Sequence, residues 1–316
     1  SADPAAKSAR MRCVVLLLIC PHSCSSRFRI VPHPARGAAA RRQRDESGEQ
    51  DGRVELPRQR LREGQKISYE IEKGRNGKSA AVNLNRGRAV HYPCRPENDF
   101  VPDPEEIAAL ITPRTRAIVV VNPNNPTGAV YPRKVLEAIA ALAERRGLVV
   151  FSDEIYDQIL YDGAQFVPMA TLVHDTLCVT MAGLSKVYRA CGYRVGWAVM
   201  SGKVSAAGEF FEAMELLASL RLCSNVAGQW AVQTALGGYQ SIYELTAPGG
   251  RLYESRRVIV ESTAANPLFK LKIPRGALYA FVGVDREKLP EFDDQAFALE
   301  LLERKHVLVA PRSEEH

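Results

Sequence analysis

Three short apolar runs each lead straight into a polar, turn-forming stretch, and this repeated arrangement constrains the fold more than any other feature. The first run, Ala117–Val121, stops at Asn122-Pro-Asn-Asn-Pro-Thr-Gly128. The second, 148–151, stops at Ser152-Asp-Glu-Ile-Tyr-Asp157. The third, 176–180, precedes Gly183-Leu-Ser-Lys-Val-Tyr-Arg-Ala-Cys-Gly-Tyr-Arg194. Continuous apolar runs of this length, without alternation, read as strands covered on both faces. Between the first two, 132–146 sets Val135, Leu136, Ile139, Leu142 and Ala143 on one helical face, with Pro132 suited to a helix start. A further strand reads at 196–200. Strand–helix alternation of this kind predicts an α/β sheet with helices on its faces.

The flanks read differently. Residues 204–236 are helical in pattern, with a break near 223–225. After Pro248-Gly-Gly250 the expected order is a helix at Arg251–Ala264, strands near 269–273 and 278–282, a helix at Asp294–Lys305 and a strand at 307–310. That is a smaller α+β unit. Residues 1–79 form an irregular basic extension, with a short helix expected at 65–73. Residues 1–78 hold 17 Lys+Arg against 9 Asp+Glu, while 79–316 hold 25 against 27. The basic surplus thus sits wholly in the extension, and the body of the chain has no global field for nucleic acid. The extension shows no helix-turn-helix trio, which argues against a DNA-binding regulator. The expected domains are therefore 1–79, 80–246 and 247–316.

Seven cysteines follow no disulfide rhythm, and Cys20-Pro-His-Ser-Cys24 fits no common zinc spacing, so no metal site is expected. Free thiols suit a reducing, cytoplasmic setting. The apolar run at 14–20 is far shorter than the ~20 residues of a membrane helix.

The polar stretches hold the groups that a pyridoxal site requires. Such a site needs a lysine amine for the Schiff base, a carboxylate against the pyridine nitrogen, and donors for the phenolic oxygen and the phosphate. In open α/β sheets these groups gather at the carboxyl ends of strands. Asp153 lies just past one strand, with Tyr156 a helical turn later. Asn125 follows another, in a turn stiffened by Pro123 and Pro126. Lys186 follows a third, and Arg194, eight residues on, can bind two phosphate oxygens at once. Taken singly, each has a plainer reading: Asp153 as a helix cap, Tyr156 as a half-buried tyrosine, Asn125 as a rigid turn, Lys186 as a loop lysine, Arg194 as a salt-bridged arginine. Only the set, in this order, outweighs them.

Asn-Asn-Pro-Thr-Gly, Asp-Glu-Ile-Tyr and Ser-Lys with an arginine eight residues later resemble the signature of class I pyridoxal-phosphate-dependent aminotransferases of the aspartate-aminotransferase fold. Within them the chain is most similar to bacterial alanine (glutamate–pyruvate) aminotransferases. Further runs that support this are Gly-Arg-Ala-Val-His-Tyr at 87–92, Ile-Thr-Pro-Arg-Thr-Arg at 111–116, Arg-Leu-Cys-Ser-Asn-Val at 221–226, the run at 233–242, and Pro-Arg-Gly-Ala-Leu-Tyr at 274–279. The resemblance covers about 80–310. It implies a large domain with a mainly parallel sheet, incomplete at its N-terminal side, and a truncated small α+β domain.

By that resemblance Lys186 is the Schiff-base lysine and proton shuttle, and Asp153 pairs the pyridinium. Tyr156 and Asn125 bond the phenolic oxygen, and Arg194 with Ser185 holds the phosphate of pyridoxal 5′-phosphate. The implied reaction moves an amino group between L-alanine and 2-oxoglutarate, in a homodimer, with amino-acid and 2-oxo-acid substrates and neither membrane nor nucleic acid as partner. Three family features find no match: an upstream phosphate-cupping loop, an aromatic that stacks on the ring, and a downstream arginine for the substrate carboxylate. Their absence keeps open a non-catalytic fragment that holds the fold without turnover.

Overall fold

The computed structural model describes residues 67–73, 79–86, 88–220 and 225–311. These fall into two units divided between Ala89 and Val90. The basic extension up to residue 66, with Cys13, Cys20 and Cys24, and the helix break expected at 223 lie outside the described residues.

The first unit contains an antiparallel hairpin. Strand β1 (Ile67–Lys73) pairs with β2 (Ser79–Arg86), Lys73 opposite Ser79 and Ile67 opposite Arg86, with an irregularity between Ser68 and Glu70. The helix expected over 65–73 is therefore a strand. The reason lies in the period: Ile67, Tyr69 and Ile71 alternate with polar residues, which is a repeat of two rather than 3.6.

The second unit is built on a four-stranded sheet of order β3 (Ala117–Val121), β4 (Val149–Asp153), β5 (Leu177–Gly183) and β6 (Gly196–Gly202). The first three strands are parallel. Val121 stands beside Asp153, and Asp153 beside Met181, so three strand exits lie in a row. The last strand is antiparallel to β5, from Gly183 opposite Gly196 to Leu177 opposite Gly202. The connection at 184–195 holds no crossover helix, and a parallel partner needs one.

Helix α1 (Pro104–Leu110) starts where the Asp103 carboxylate accepts from the Glu105 N–H. It was not expected from periodicity, although its Asp-Pro-Glu-Glu start is a capping signal. Helix α2 (Arg133–Arg146) starts after Pro132 and ends on Gly147 in the left-handed region. Its Leu136, Ile139, Leu142 and Ala143 are buried, as is Ile107 of α1, against Ile118, Val120, Val150 and Cys178 of the sheet. Full burial of a side chain such as Leu136 or Ile139 contributes about 1.5–3 kcal/mol. Helix α3 (Gly208–Ser219) covers the other face. Its Phe210, Phe211 and Met214 pack on Phe151, Val179, Ala198 and Met200. Helix α4 (Val226–Gly237) follows, capped by Asn225, whose side chain accepts from the Gly228 N–H.

The remainder comprises α5 (Ile242–Thr246), α6 (Arg251–Ala264), an antiparallel pair β7 (Phe269–Leu271) and β8 (Val282–Val284), and α7 (Asp294–Lys305). The strand expected at 278–282 is shorter and later. Residues before it instead run across the sheet's turns as a strap: the Arg275 and Gly276 N–H groups donate to the Gly128 carbonyl at 2.8 and 2.9 Å, and the Ala277 N–H to Ile159 at 2.9 Å. The strand expected at 307–310 forms no ladder among the described residues, and Leu308 is exposed there. An apolar run needs a neighbouring strand as well as its own pattern.

Two stability predictions follow from this packing. Glu154 is buried and accepts from the Ser152 hydroxyl and the Met169 N–H, both at 2.9 Å. Burial nevertheless pushes its carboxyl up to about 7, against an ordinary value of about 4.3. The folded chain then holds a proton that the unfolded chain releases, so this contribution to stability is present at low pH and lost as pH rises between about 4.3 and about 7. Unfolding midpoints measured across that window fall with pH, and Glu154→Gln, which keeps both acceptor bonds, flattens the slope. Separately, a Cβ on Gly276 would stand 2.8 Å from both Pro123 Cβ and Val130 Cγ2. Gly276→Ala costs about 1–3 kcal/mol in denaturant unfolding. Gly192→Ala, with no atom within 4 Å of its added carbon, is the control and costs far less.

Candidate active site

Because β3, β4 and β5 end in register, the turns that follow them share one edge of the sheet. Asp153 is the last residue of the middle strand. Its carbonyl accepts from the Asn122 N–H at 3.1 Å, which ties the Asn-Pro turn to it. Its carboxylate accepts from the Ile155 N–H at 3.1 Å. The group is half-buried, and that burial raises its pKa, while the Ile155 bond and the charge of Lys186 pull it down.

Tyr156 stands in the tight turn after Asp153, closed by the Asp157 and Ile159 N–H groups. The side chain is 2% exposed. Its hydroxyl lies 2.7 Å from the Tyr279 hydroxyl, and the two rings meet edge to face at 5.7 Å and 80°. The Lys186 ammonium sits over the Tyr156 ring, 5.8 Å from its centre. At such a distance a cation gains from the ring's negative face. Asp153, Tyr156 and Lys186 therefore form one group, the carboxylate and the aromatic face both within electrostatic reach of the amine.

Lys186 is held by its neighbours. Leu184 and Val187 are buried anchors on either side of the half-buried pair Ser185 and Lys186. The Leu184 N–H donates to Val195, and Ala190 donates back to Leu184. A Cβ on Gly183 would meet the Val195 carbonyl at 2.8 Å, so only glycine permits this close approach of β5 and β6. Arg194 ends the same loop with φ of 50°, and its guanidinium donates to the Cys191 carbonyl at 2.9 Å. Asn225 donates to the Tyr193 carbonyl at 2.8 Å, which pins the loop to the start of α4.

The Asn-Pro turn is organised by Asn124. Its side-chain oxygen accepts from the Thr127 hydroxyl at 2.8 Å, and its amide donates to the Tyr131 hydroxyl at 3.1 Å. The Asn122–Pro123 and Asn125–Pro126 peptides are cis. Asn125, one of the residues singled out from the sequence, is exposed on this turn. Gly128 has φ of +71°, and a Cβ there would stand 2.3 Å from Pro274. Tyr279 is a site residue to which sequence reasoning gave no role. Its run, 274–279, was visible as a motif, but nothing in the sequence placed it against Tyr156.

Among the described residues no three His, Cys, Asp or Glu side chains stand close enough together to hold a metal ion. No described helix is long and apolar enough to cross a membrane.

The family profile described as aminotransferase class I and II matches residues 79–316. Glutamate-pyruvate aminotransferase AlaA of Escherichia coli (strain K12) is 49% identical over 231 residues, 73% of this chain and 57% of that protein. Alanine aminotransferase of Mycobacterium tuberculosis (strain ATCC 25618 / H37Rv) is 45% identical over 231 residues, 73% of this chain and 54% of its own length. Among solved structures, an aminotransferase from Escherichia coli aligns with a TM-score of 0.68 and 50% identity, over 70% of this chain and 55% of that one. Thermus thermophilus aspartate aminotransferase with maleate aligns with a TM-score of 0.59 and 34% identity, again over 70% and 55%. The chain thus spans a little over half the length of the relatives it matches. The mostly parallel sheet, its antiparallel last strand and this profile place the chain in the class I and II aminotransferases, with the aspartate-aminotransferase-like fold.

Proposed function

We propose that this chain carries the chemistry of an alanine-type aminotransferase, which moves an amino group between L-alanine and 2-oxoglutarate on pyridoxal 5′-phosphate. The observation that carries the reading is the Lys186 amine over the Tyr156 ring, with the Asp153 carboxylate close enough to feel its charge. The names of the relatives, glutamate-pyruvate and alanine aminotransferases, support the choice of substrates.

The donor set fits this cofactor. Lys186 is the group that would hold it covalently. Asp153, fixed at a strand end with one backbone N–H bond, has acceptor capacity for a pyridine N–H. Tyr156 and Asn125 would donate to the phenolic oxygen, and Ser185 and Arg194 to the phosphate. Bound, pyridoxal phosphate supplies an electron sink that makes the substrate α-proton acidic. Once displaced from its bond to the cofactor by the substrate amine, the freed Lys186 amine would take the α-proton and give it back, a general acid–base role worth roughly 10²–10⁴-fold. Burial pushes the Tyr156 phenol well above its ordinary value, so it stays protonated and able to donate.

The same reading divides the chain into a partial large cofactor domain at 80–246, a small domain at 247–316 and the extension at 1–79. It makes the protein a homodimer. Exposed apolar side chains along 217–239 support that: Leu220 is 75% and Trp230 73% exposed, with Leu217, Val226, Leu236 and Tyr239 also open. Large exposed apolar surface often marks an interface. The free thiols of Cys94, Cys178 and Cys191 suit a cytoplasmic setting.

The cofactor reading is tested by adding pyridoxal phosphate to the purified chain and recording its visible absorption. The unsubstituted chain develops a protein-bound band that Lys186→Ala lacks, and no band in the unsubstituted chain sinks the reading. Transamination of L-alanine with 2-oxoglutarate falls by roughly 10²–10⁴-fold or more in Lys186→Ala. Turnover absent in both chains, with the band retained, leaves a binding fold without catalysis. For the dimer, light scattering gives twice the chain mass, and the pair Leu220→Glu with Trp230→Glu returns the monomer mass.

A further inference from the structure

Tyr279 lies 123 positions from Tyr156 in sequence, yet its hydroxyl is 2.7 Å from the Tyr156 hydroxyl. The contact is held by backbone bonds. The strap before Tyr279 donates from Arg275 and Gly276 to the Gly128 carbonyl, and from Ala277 to Ile159 at 2.9 Å. The Tyr161 hydroxyl donates to the Ala277 carbonyl at 3.1 Å, and Arg256 Nε to Pro274 at 2.7 Å. Ala277 adopts φ of +60°, a conformation alanine takes only when its surroundings dictate it. Gly128 belongs to the Asn-Pro turn, while Ile159 and Tyr161 follow the turn that carries Tyr156. The strap is thus anchored to two of the three turns that build the site.

Two phenols that face each other share one hydrogen bond and have one proton each for the purpose. Either can donate to the other. The order matters once an acceptor stands on the open side of Tyr156. If Tyr156 donates outward, its oxygen must accept from Tyr279. Hydrogen bonds in series polarise one another, so a phenol that accepts also donates more strongly. Burial raises the Tyr156 pKa, which keeps this donor protonated.

Resting on the cofactor reading above, we propose that Tyr279 is a positioning residue: it donates to Tyr156, turns the Tyr156 proton toward the phenolic oxygen of the bound cofactor, and thereby sets the acidity of the lysine-bound form. The edge-to-face packing at 5.7 Å fixes the Tyr156 ring at the same time. Tyr279 touches neither the amine nor the substrate in this role and acts through Tyr156 alone.

The test is the pH midpoint of the visible band of the loaded chain, compared among the unsubstituted protein, Tyr279→Phe, Tyr156→Phe and the double variant. A weaker donor stabilises the ionised phenolic oxygen less, so the midpoint rises in Tyr279→Phe, by about 0.3–1 pH unit. Tyr156→Phe raises it further. The double variant matches Tyr156→Phe alone, because Tyr279 has nothing left to act through. Phenylalanine keeps the ring contact, and the thermal midpoint of the unloaded chain, measured in parallel, separates loss of fold from loss of the bond. A band whose midpoint ignores Tyr279→Phe overturns the inference while the cofactor reading stands. So does a shift that persists undiminished in the Tyr156→Phe background. No band in the unsubstituted chain overturns the cofactor reading and this inference with it.

Discussion

The parallel pairing of β3, β4 and β5 is the constraint on which the site depends. Neighbouring strands lie about 4.7–4.9 Å apart. With Val121, Asp153 and Met181 side by side, three turns leave the sheet within side-chain reach of one another. The register also chooses the face. In β4, Val150 and Ser152 are buried toward α2, whereas Val149, Phe151 and Asp153 alternate onto the other side, where Phe151 meets α3. A slip of one residue would turn Asp153 away from Lys186. The apolar fit of α2 on one face and α3 on the other therefore fixes the position of the Asp153 carboxylate.

Much of this was legible in the sequence, for identifiable reasons. The bounds of β3 and the helices at 133–146, 251–264 and 294–305 follow from local period and from Pro and Gly at their ends. What was not legible depends on partners distant in sequence. Residues 278–282 look like a strand, but the chain before them bonds to Gly128 and Ile159 instead of to a neighbouring strand. Residues 307–310 have a strand's composition and no neighbour in a ladder among those described. The short helix expected at 65–73 gave way to β1, because a short segment of mixed polarity carries only a weak period of two. In the Asn-Pro turn, the sequence favours Asn125, while internal bonds of the turn belong to Asn124. Asn122 and Asn124 build the loop, Asn122 by accepting from the Tyr131 N–H, and Asn125 is left exposed on it.

Three acids within five positions, Asp153, Glu154 and Asp157, all have raised pKa values, in each case chiefly through burial. Such a cluster opposes folding at neutral pH, and a chain retains it only where other interactions offset the cost. The three differ in how they are satisfied. Glu154 accepts from Ser152 and from Met169 and thereby ties the turn at 168–171 to β4. It is a structural acid with its partners in place.

Asp153 is satisfied differently, and the difference bears on function. It accepts one backbone N–H bond and feels the charge of Lys186. A carboxylate has about four acceptor positions, so Asp153 keeps room for a further donor. A cationic ring N–H placed against it would lower its pKa and remove the burial penalty in one step. The sheet register sets up this arrangement, since it holds Asp153 at the strand end within electrostatic reach of the amine. On the proposed reading, bound cofactor and folded chain would be coupled through one residue: whatever neutralises Asp153 stabilises the middle strand of the sheet that presents it.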